Sequence, residues 1–189
     1  INYLNNIFDY IQILVYSIQF ESKKYQPISK FLINNCVKSN KLFNYVIWET
    51  SIYLTNKEYY SYYTKFIQKL KSEYLIKKGS SNFKKYIDST KIFKIIDTHS
   101  NINKCIKKCD NIIKTNSVDL TINPELNIIK IVKDKIKFKN SSSQPLNIPF
   151  ICKKNNNNTN ILYQLIYKKE DVRKDQLVCN IINIMDNIL

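Results

Sequence analysis

The stretch Tyr163-Gln-Leu-Ile-Tyr-Lys-Lys-Glu-Asp-Val-Arg-Lys-Asp-Gln-Leu-Val-Cys-Asn-Ile-Ile-Asn-Ile-Met-Asp-Asn-Ile-Leu189 changes its hydrophobic period within one short charged turn. Tyr163, Leu165 and Tyr167 alternate with Ile166 and Lys168, which predicts a β-strand ending at the lysine. Val178, Ile182, Met185 and Leu189 then recur at helical spacing and predict an amphipathic helix from about residue 172. Carried backward at 100° per residue, that stripe places Asp175 and Asp171 along its edge rather than on the solvated face. A carboxylate leaning inward needs a cation, because burying an unpaired charge is costly. The nearest in sequence is Lys168. An ordinary surface ion pair at a strand–turn–helix junction would show the same spacing and contribute little to stability.

Upstream, Leu126–Val132, Lys135–Lys139, Leu146–Cys152 and Ile161–Lys168 alternate as strands, predicting a small twisted antiparallel sheet with the last helix packed on it. Asn155–Asn158 is a low-complexity turn. The segment Lys139-Asn-Ser-Ser-Ser-Gln-Pro145 connects the second and third strands. By its residues alone it is a polar hairpin loop.

The first part of the chain predicts helices over roughly 2–21, 28–38, 41–54 and 57–77, separated by Lys23–Pro27, Lys38–Asn40 and Thr55–Asn56. Connections this short imply stacked, solenoid-like neighbours. Tyr59, Tyr62, Tyr63, Phe66 and Leu70 make one helical stripe, so the aromatic run is read as core rather than as a base-stacking platform. Lys77–Asn82 holds the single glycine and marks a boundary. A further helical segment follows over about 83–114, with a break near His99–Asn101. The expected class is therefore mostly α with a small antiparallel sheet.

Composition removes several alternatives. The 189 residues carry a formal charge of +15, which by itself suggests a polyanion or an anionic surface. The lysines are spread among asparagine and isoleucine without a run of more than two, so a compositional bias accounts for them. One glycine excludes a Gly-rich phosphate loop. Five cysteines form no Cys-x-x-Cys pair. Cys105 and Cys109 share a helix face but would need two more ligands for zinc, and His99, the lone histidine, lies elsewhere. Reduced, packed thiols are expected. Residues 1–20 are apolar but interrupted by Asn5, Asn6, Asp9 and Gln12, which describes a packed helix rather than a membrane span. Ile1 is not an initiator methionine and the final helix has no stop signal, so a longer protein is expected.

A strand lysine braced by a helix carboxylate is how kinases aim an ammonium at ATP phosphates. Ile166-Tyr167-Lys168, then Glu170-Asp171-Val172-Arg173-Lys174-Asp175-Gln176-Leu177, resembles the phosphatidylinositol 3-kinase family pattern of aliphatic-aromatic-Lys, a Gly-Asp-Asp-type turn and Leu-Arg-Gln-Asp-(Gln/Met)-Leu. The turn is one residue shorter, its glycine is missing, and Lys174 stands where glutamine is usual. Lys169 is accordingly the alternative for the ATP lysine. Asp175 favours 3-kinases over 4-kinases, which usually carry Glu there. Ile28-Ser-Lys-Phe-Leu-Ile-Asn-Asn-Cys36, Leu42-Phe-Asn-Tyr45 and Trp48 resemble the end of the family's helical domain. Leu120-Thr-Ile-Asn-Pro-Glu125 resembles the stretch opening its kinase domain. The order and spacing are closest to the class III, vacuolar-sorting type.

The resemblance implies that residues 1–78 are the end of a helical domain and 79–189 the truncated N-terminal lobe of a lipid-kinase domain. It implies an enzyme that transfers the ATP γ-phosphoryl group to the 3-hydroxyl of phosphatidylinositol, in endosomal or vacuolar trafficking and autophagy. Lys168 would hold the α/β-phosphates, Asp175 would orient it, and Ser141, Ser142 and Ser143 would cap the phosphates through hydroxyl and backbone N–H groups. It further implies Mg or Mn, a regulatory protein-kinase-like subunit, peripheral association of a cytoplasmic protein with endosomal membranes, and no nucleic acid. No Asp-Arg-His-x-x-Asn loop and no Asp-Phe-Gly occur in these residues, so this polypeptide alone is expected to be inactive. The competing readings are a 4-kinase or related kinase of the same superfamily, and a basic helical scaffold that binds RNA or protein partners.

Overall fold

The computed structural model describes residues 3–98, 101–140, 142, 144–154, 159–169 and 172–186. In chain order the helices are α1 (Tyr3–Ser17), α2 (Pro27–Cys36), α3 (Asn40–Tyr53), α4 (Tyr60–Thr98), α5 (Ile102–Thr115) and α6 (Arg173–Asp186). The strands are β1 (Val118–Leu120), β2 (Asn123–Ile131), β3 (Lys137–Phe138), β4 (Leu146–Lys154) and β5 (Asn160–Tyr167). Two compact units result. One holds residues 1–80 and 173–189, the other residues 81–172.

Local chemistry explains the helix starts. Pro27 opens α2, where a missing N–H is harmless, and the Glu21 carboxylate accepts from the amides of Ile28 and Ser29 and from the Ser29 hydroxyl. Ser39 caps α3 by accepting from Leu42 N at 3.2 Å, and Asn101 caps α5 by accepting from Lys104 N at 3.1 Å. Such caps satisfy donors that the helix leaves open.

In the first unit α3 packs against both α1 and α2, and the aromatic run supplies core. Tyr63 is fully buried and stacks on Tyr53 with centroids 4.6 Å apart, while its hydroxyl donates to Val15 O at 2.9 Å. Phe43 stacks on Tyr74 at 3.7 Å, and the Tyr74 hydroxyl donates to Asn40 Oδ1 at 2.8 Å. The buried stripe of α4 is Tyr63, Phe66, Ile67, Leu70 and Tyr74; Tyr62 is exposed.

Gly79 interrupts α4 with φ 80° and ψ 165°, a conformation essentially reserved for glycine. The units divide one residue later, between Ser80 and Ser81.

In the second unit α5 and the end of α4 cover one face of a five-stranded antiparallel sheet in which β4 pairs with β2, β3 and β5. The core gathers Ile92, Cys109, Leu120, Ile128, Phe150 and Cys152. The register sets Leu146 opposite Tyr167, Ile148 opposite Leu165 and Phe150 opposite Tyr163, and all six pack toward the helices. At the sheet edge Asp119 is buried, accepts from Asn127 Nδ2 at 3.1 Å and lies 3.9 Å from the Lys85 ammonium.

Two expectations change. The three-residue strand β1 lies inside a segment whose sequence carried no periodicity long enough to read. The last helix, expected as a layer on the sheet, belongs to the first unit, where it contacts α1. Gln176, Asn180 and Ile184 are its half-buried residues, whereas the predicted inner stripe of Val178, Ile182 and Met185 is exposed. Periodicity shows that a stripe is apolar without naming what covers it. No helix among the described residues is long and apolar enough to cross a membrane.

Candidate functional site

The face of the sheet opposite α5 is where the sequence motif comes out. Across the β4–β5 register, Asn147 stands opposite Ile166 and Pro149 opposite Gln164. These four side chains alternate with the core-facing set and so share the other face. Lys168 follows Tyr167 directly, one residue past the end of β5, and strand alternation carried that far would add it to the Gln164–Ile166 row. It is exposed. Lys169 lies on the opposite side, where it lines a hollow with Tyr167 and Leu146 beneath α5. Adjacent lysines are thus separated by the sheet itself.

The segment leading into β3 runs along the same open face as Gln164. With Asn147 and Gln164 it forms a hollow of about 320 Å³ whose rim carries Lys135, Lys137 and Lys139. Asn147 is only 4% exposed, and its Oδ1 has no hydrogen-bond donor among the described residues. Three lysines and one carboxylate, Asp134, surround a buried, unsatisfied acceptor, a net positive rim that suits a ligand bearing negative charge and at least one N–H donor.

The β3–β4 connection is closed by Lys139 N donating to Pro145 O at 2.8 Å. Ser142 sits in its turn and is exposed; Ser141 and Ser143 lie outside the described residues. Asp175 occupies the first turn of α6 and is exposed. It belongs to the first unit, whereas Lys168 and Ser142 belong to the second. Glu170, Asp171 and His99 lie outside the described residues. The cysteines behave as packed thiols: burial pushes Cys152 up to about 11 and raises Cys105 and Cys109 as well.

Lys135, Lys137 and Lys139 are never adjacent, so no run of lysines marks them. The strand expected over Lys135–Lys139 is confined to Lys137–Phe138 and follows a 3-10 turn at Lys133–Lys135, so it is this turn together with the short strand that brings the three to one rim. Gln164 offered no signal at all.

No family model matches the chain. Among curated proteins it is similar to the human phosphatidylinositol 3-kinase C2 domain-containing subunit gamma, 27% identical over 203 aligned residues that include 99% of the chain. It is also similar to phosphatidylinositol 3-kinase VPS34 of Candida glabrata, 25% identical over 180 residues and 86% of the chain. Phosphatidylinositol 3-kinase pik3 of Schizosaccharomyces pombe is 34% identical over 74 residues, 39% of the chain. These similarities support the phosphatidylinositol 3-kinase family. The chain spans 13%, 19% and 9% of the length of these three phosphatidylinositol 3-kinases. The three differ in subunit type, so the similarity reaches the phosphatidylinositol 3-kinases as a family and not one class of them.

Proposed function

We propose that this chain is a segment of a class III-type phosphatidylinositol 3-kinase and that the open face of its sheet receives ATP. The observation that carries the reading is the β4–β5 register, which puts Gln164 and Ile166 on the face that bears the Lys135–Lys137–Lys139 hollow; the same alternation continued one residue past β5 brings Lys168 to that face. Lys168 follows the last paired residue of β5, Tyr167, so the ladder anchors the chain one residue before the ammonium. Its charge is therefore preorganised for the α/β-phosphates, which lowers the reorganisation needed when charge shifts in the transition state. The three lysines of the β3 segment add positive potential on the phosphate side. The Asn147 carboxamide oxygen accepts from an exocyclic amine of the base. Ser141–Ser143, in the loop between β3 and β4, cap the phosphates, and Asp175 orients Lys168; both roles come from the family motif.

The reaction assigned to the parent protein is transfer of the γ-phosphoryl group to the 3-hydroxyl of phosphatidylinositol, at an endosomal or vacuolar membrane and with a regulatory protein-kinase-like subunit. Among the described residues no group of three His, Cys, Asp or Glu side chains gathers to hold a metal ion. The Mg or Mn that such a transfer employs is accordingly given no ligand here and no step. Phosphatidylinositol 3-phosphate formation by the kinase that carries this segment tests the reading. Lys168→Ala lowers it roughly 100- to 1000-fold, as loss of one preorganised donor does, with the unfolding temperature near that of the parent. Near-normal turnover in a folded Lys168→Ala protein would remove the residue from the site.

A further inference from the structure

A second hollow lies within residues 81–172 on the other side of the sheet, beneath α5. Its volume is about 180 Å³. Interiors normally pack to crystal density with few voids larger than a water molecule, so a space of this size in a small core is unusual. Its walls are apolar: Ile102, Ile106 and Cys109 come from α5, and Ile131, Leu146 and Ile148 from the sheet. Such a space is poor for water, which needs two to four polar partners, and suited to hydrocarbon. A cavity of roughly 150 Å³ with similar walls accommodates a six-carbon ring.

Among the described residues, the polar groups of the lining, apart from the thiols, are those of Tyr167, Gln144 and Lys169. The Tyr167 hydroxyl donates to the Asp97 carboxylate, and both groups are thereby engaged. Gln144 carries φ 41°, the one positive φ outside glycine among the described residues. A positive φ is uncommon outside glycine. Lys169 is the only charged residue in the lining and has no ion-pair partner among the described residues. One end of an otherwise hydrocarbon space is therefore cationic.

We propose that this hollow is a binding site for a small anionic amphiphile: an unbranched alkyl chain of roughly six to eight carbons among the isoleucines, with its carboxylate on the Lys169 ammonium and the Gln144 amide. The site is separated by the sheet from the proposed nucleotide face and stands independently of that reading.

Octanoate and 1-octanol are the probes, because they share a chain and differ in the charge of the head. With the 189-residue chain labelled at isoleucine methyl groups, both titrate the Ile102, Ile106 and Ile148 signals. Octanoate does so roughly tenfold more tightly, the difference expected of one charge-assisted contact. Lys169→Ala removes that tenfold advantage and changes octanol affinity by less than about twofold. Ile106→Phe fills the space and abolishes both. Since that variant strains the core, contacts between the terminal methyl of octanoate and the methyls of Ile106 and Ile148 are also sought in the unaltered chain by cross-relaxation. The proposal fails if millimolar octanoate leaves these methyls unmoved, if its methyl group contacts other residues, or if Lys169→Ala weakens octanoate and octanol alike.

Discussion

Lys168 and Lys169 are chemically identical neighbours, and the proposed kinase reading requires that only one of them meet the phosphates. Lys169 lines the hollow beneath α5, and alternation carried past the end of β5 puts Lys168 on the other face, so substitution should separate them. In the parent kinase Lys169→Ala should leave turnover within about threefold while Lys168→Ala lowers it by about 100-fold or more. Comparable losses from both would mean that the turn after β5 rearranges to present either one. Asp119 raises a different residue-scale matter, its charge state. Burial lifts its pKa above the ordinary carboxylate value, and the amide of Asn127 and the ammonium of Lys85 offset only part of that effect. With the folded pKa above the unfolded one, the native state holds the proton more tightly, so stability from this group is largest in acid and is lost as pH rises through the raised value. Thermal unfolding of the parent chain and of Asp119→Asn between pH 4 and 7 should show the parent losing stability relative to the variant as pH rises. A constant difference across that range would mean that folding does not raise the pKa of Asp119.

At the scale of elements, the long helix α4 owes its interruption to one backbone. Gly79 has nothing within 4 Å of where a Cβ would stand, so the effect of Gly79→Ala comes from conformation and not from crowding. A positive φ with an extended ψ costs an L-residue about 1–3 kcal/mol. Urea unfolding should register that loss, and Gly79→Asn should recover little, because asparagine relieves the left-handed helical region rather than this one. An unchanged midpoint would show that the two helical halves can fuse into one continuous helix without penalty. The sheet shows how legibility varies between elements. Strands β2, β4 and β5 run eight or nine residues, long enough for a period of two to register in their sequences, even though β4 is buried on both faces from Asn147 to Phe150. Strand β1 has three residues, all buried, and no alternation could reveal it. The stripe of α6 was legible as apolar, but α1 meets a different side of that helix, because burial is settled by the available neighbour and not by the stripe alone.

For the whole molecule, the two compact units each carry their own aromatic centre, Phe43 in the first and Phe150 in the second, both fully buried. Phe43→Ala and Phe150→Ala should each destabilise their own unit by about 3–5 kcal/mol. Sites without shared partners combine additively, so the double variant should lose the sum to within about 0.5 kcal/mol in chemical denaturation followed unit by unit. A coupling well beyond that would mean that the units fold as one cooperative body. What the sequence by itself determined is the local and periodic part. It specifies the helices through their caps and spacing, the strands through alternation, and the Tyr-Lys-Lys turn with its phosphatidylinositol 3-kinase likeness, because these signals are written in residues close along the chain. Only the tertiary structure decided that Lys135, Lys137, Lys139 and Asn147 share one hollow, that Lys169 opens into another, and that α6 rests on α1. Those juxtapositions depend on which faces meet across the fold. No short-range pattern encodes them, since the same alternation or stripe serves equally well against any apolar neighbour that the rest of the chain brings to it.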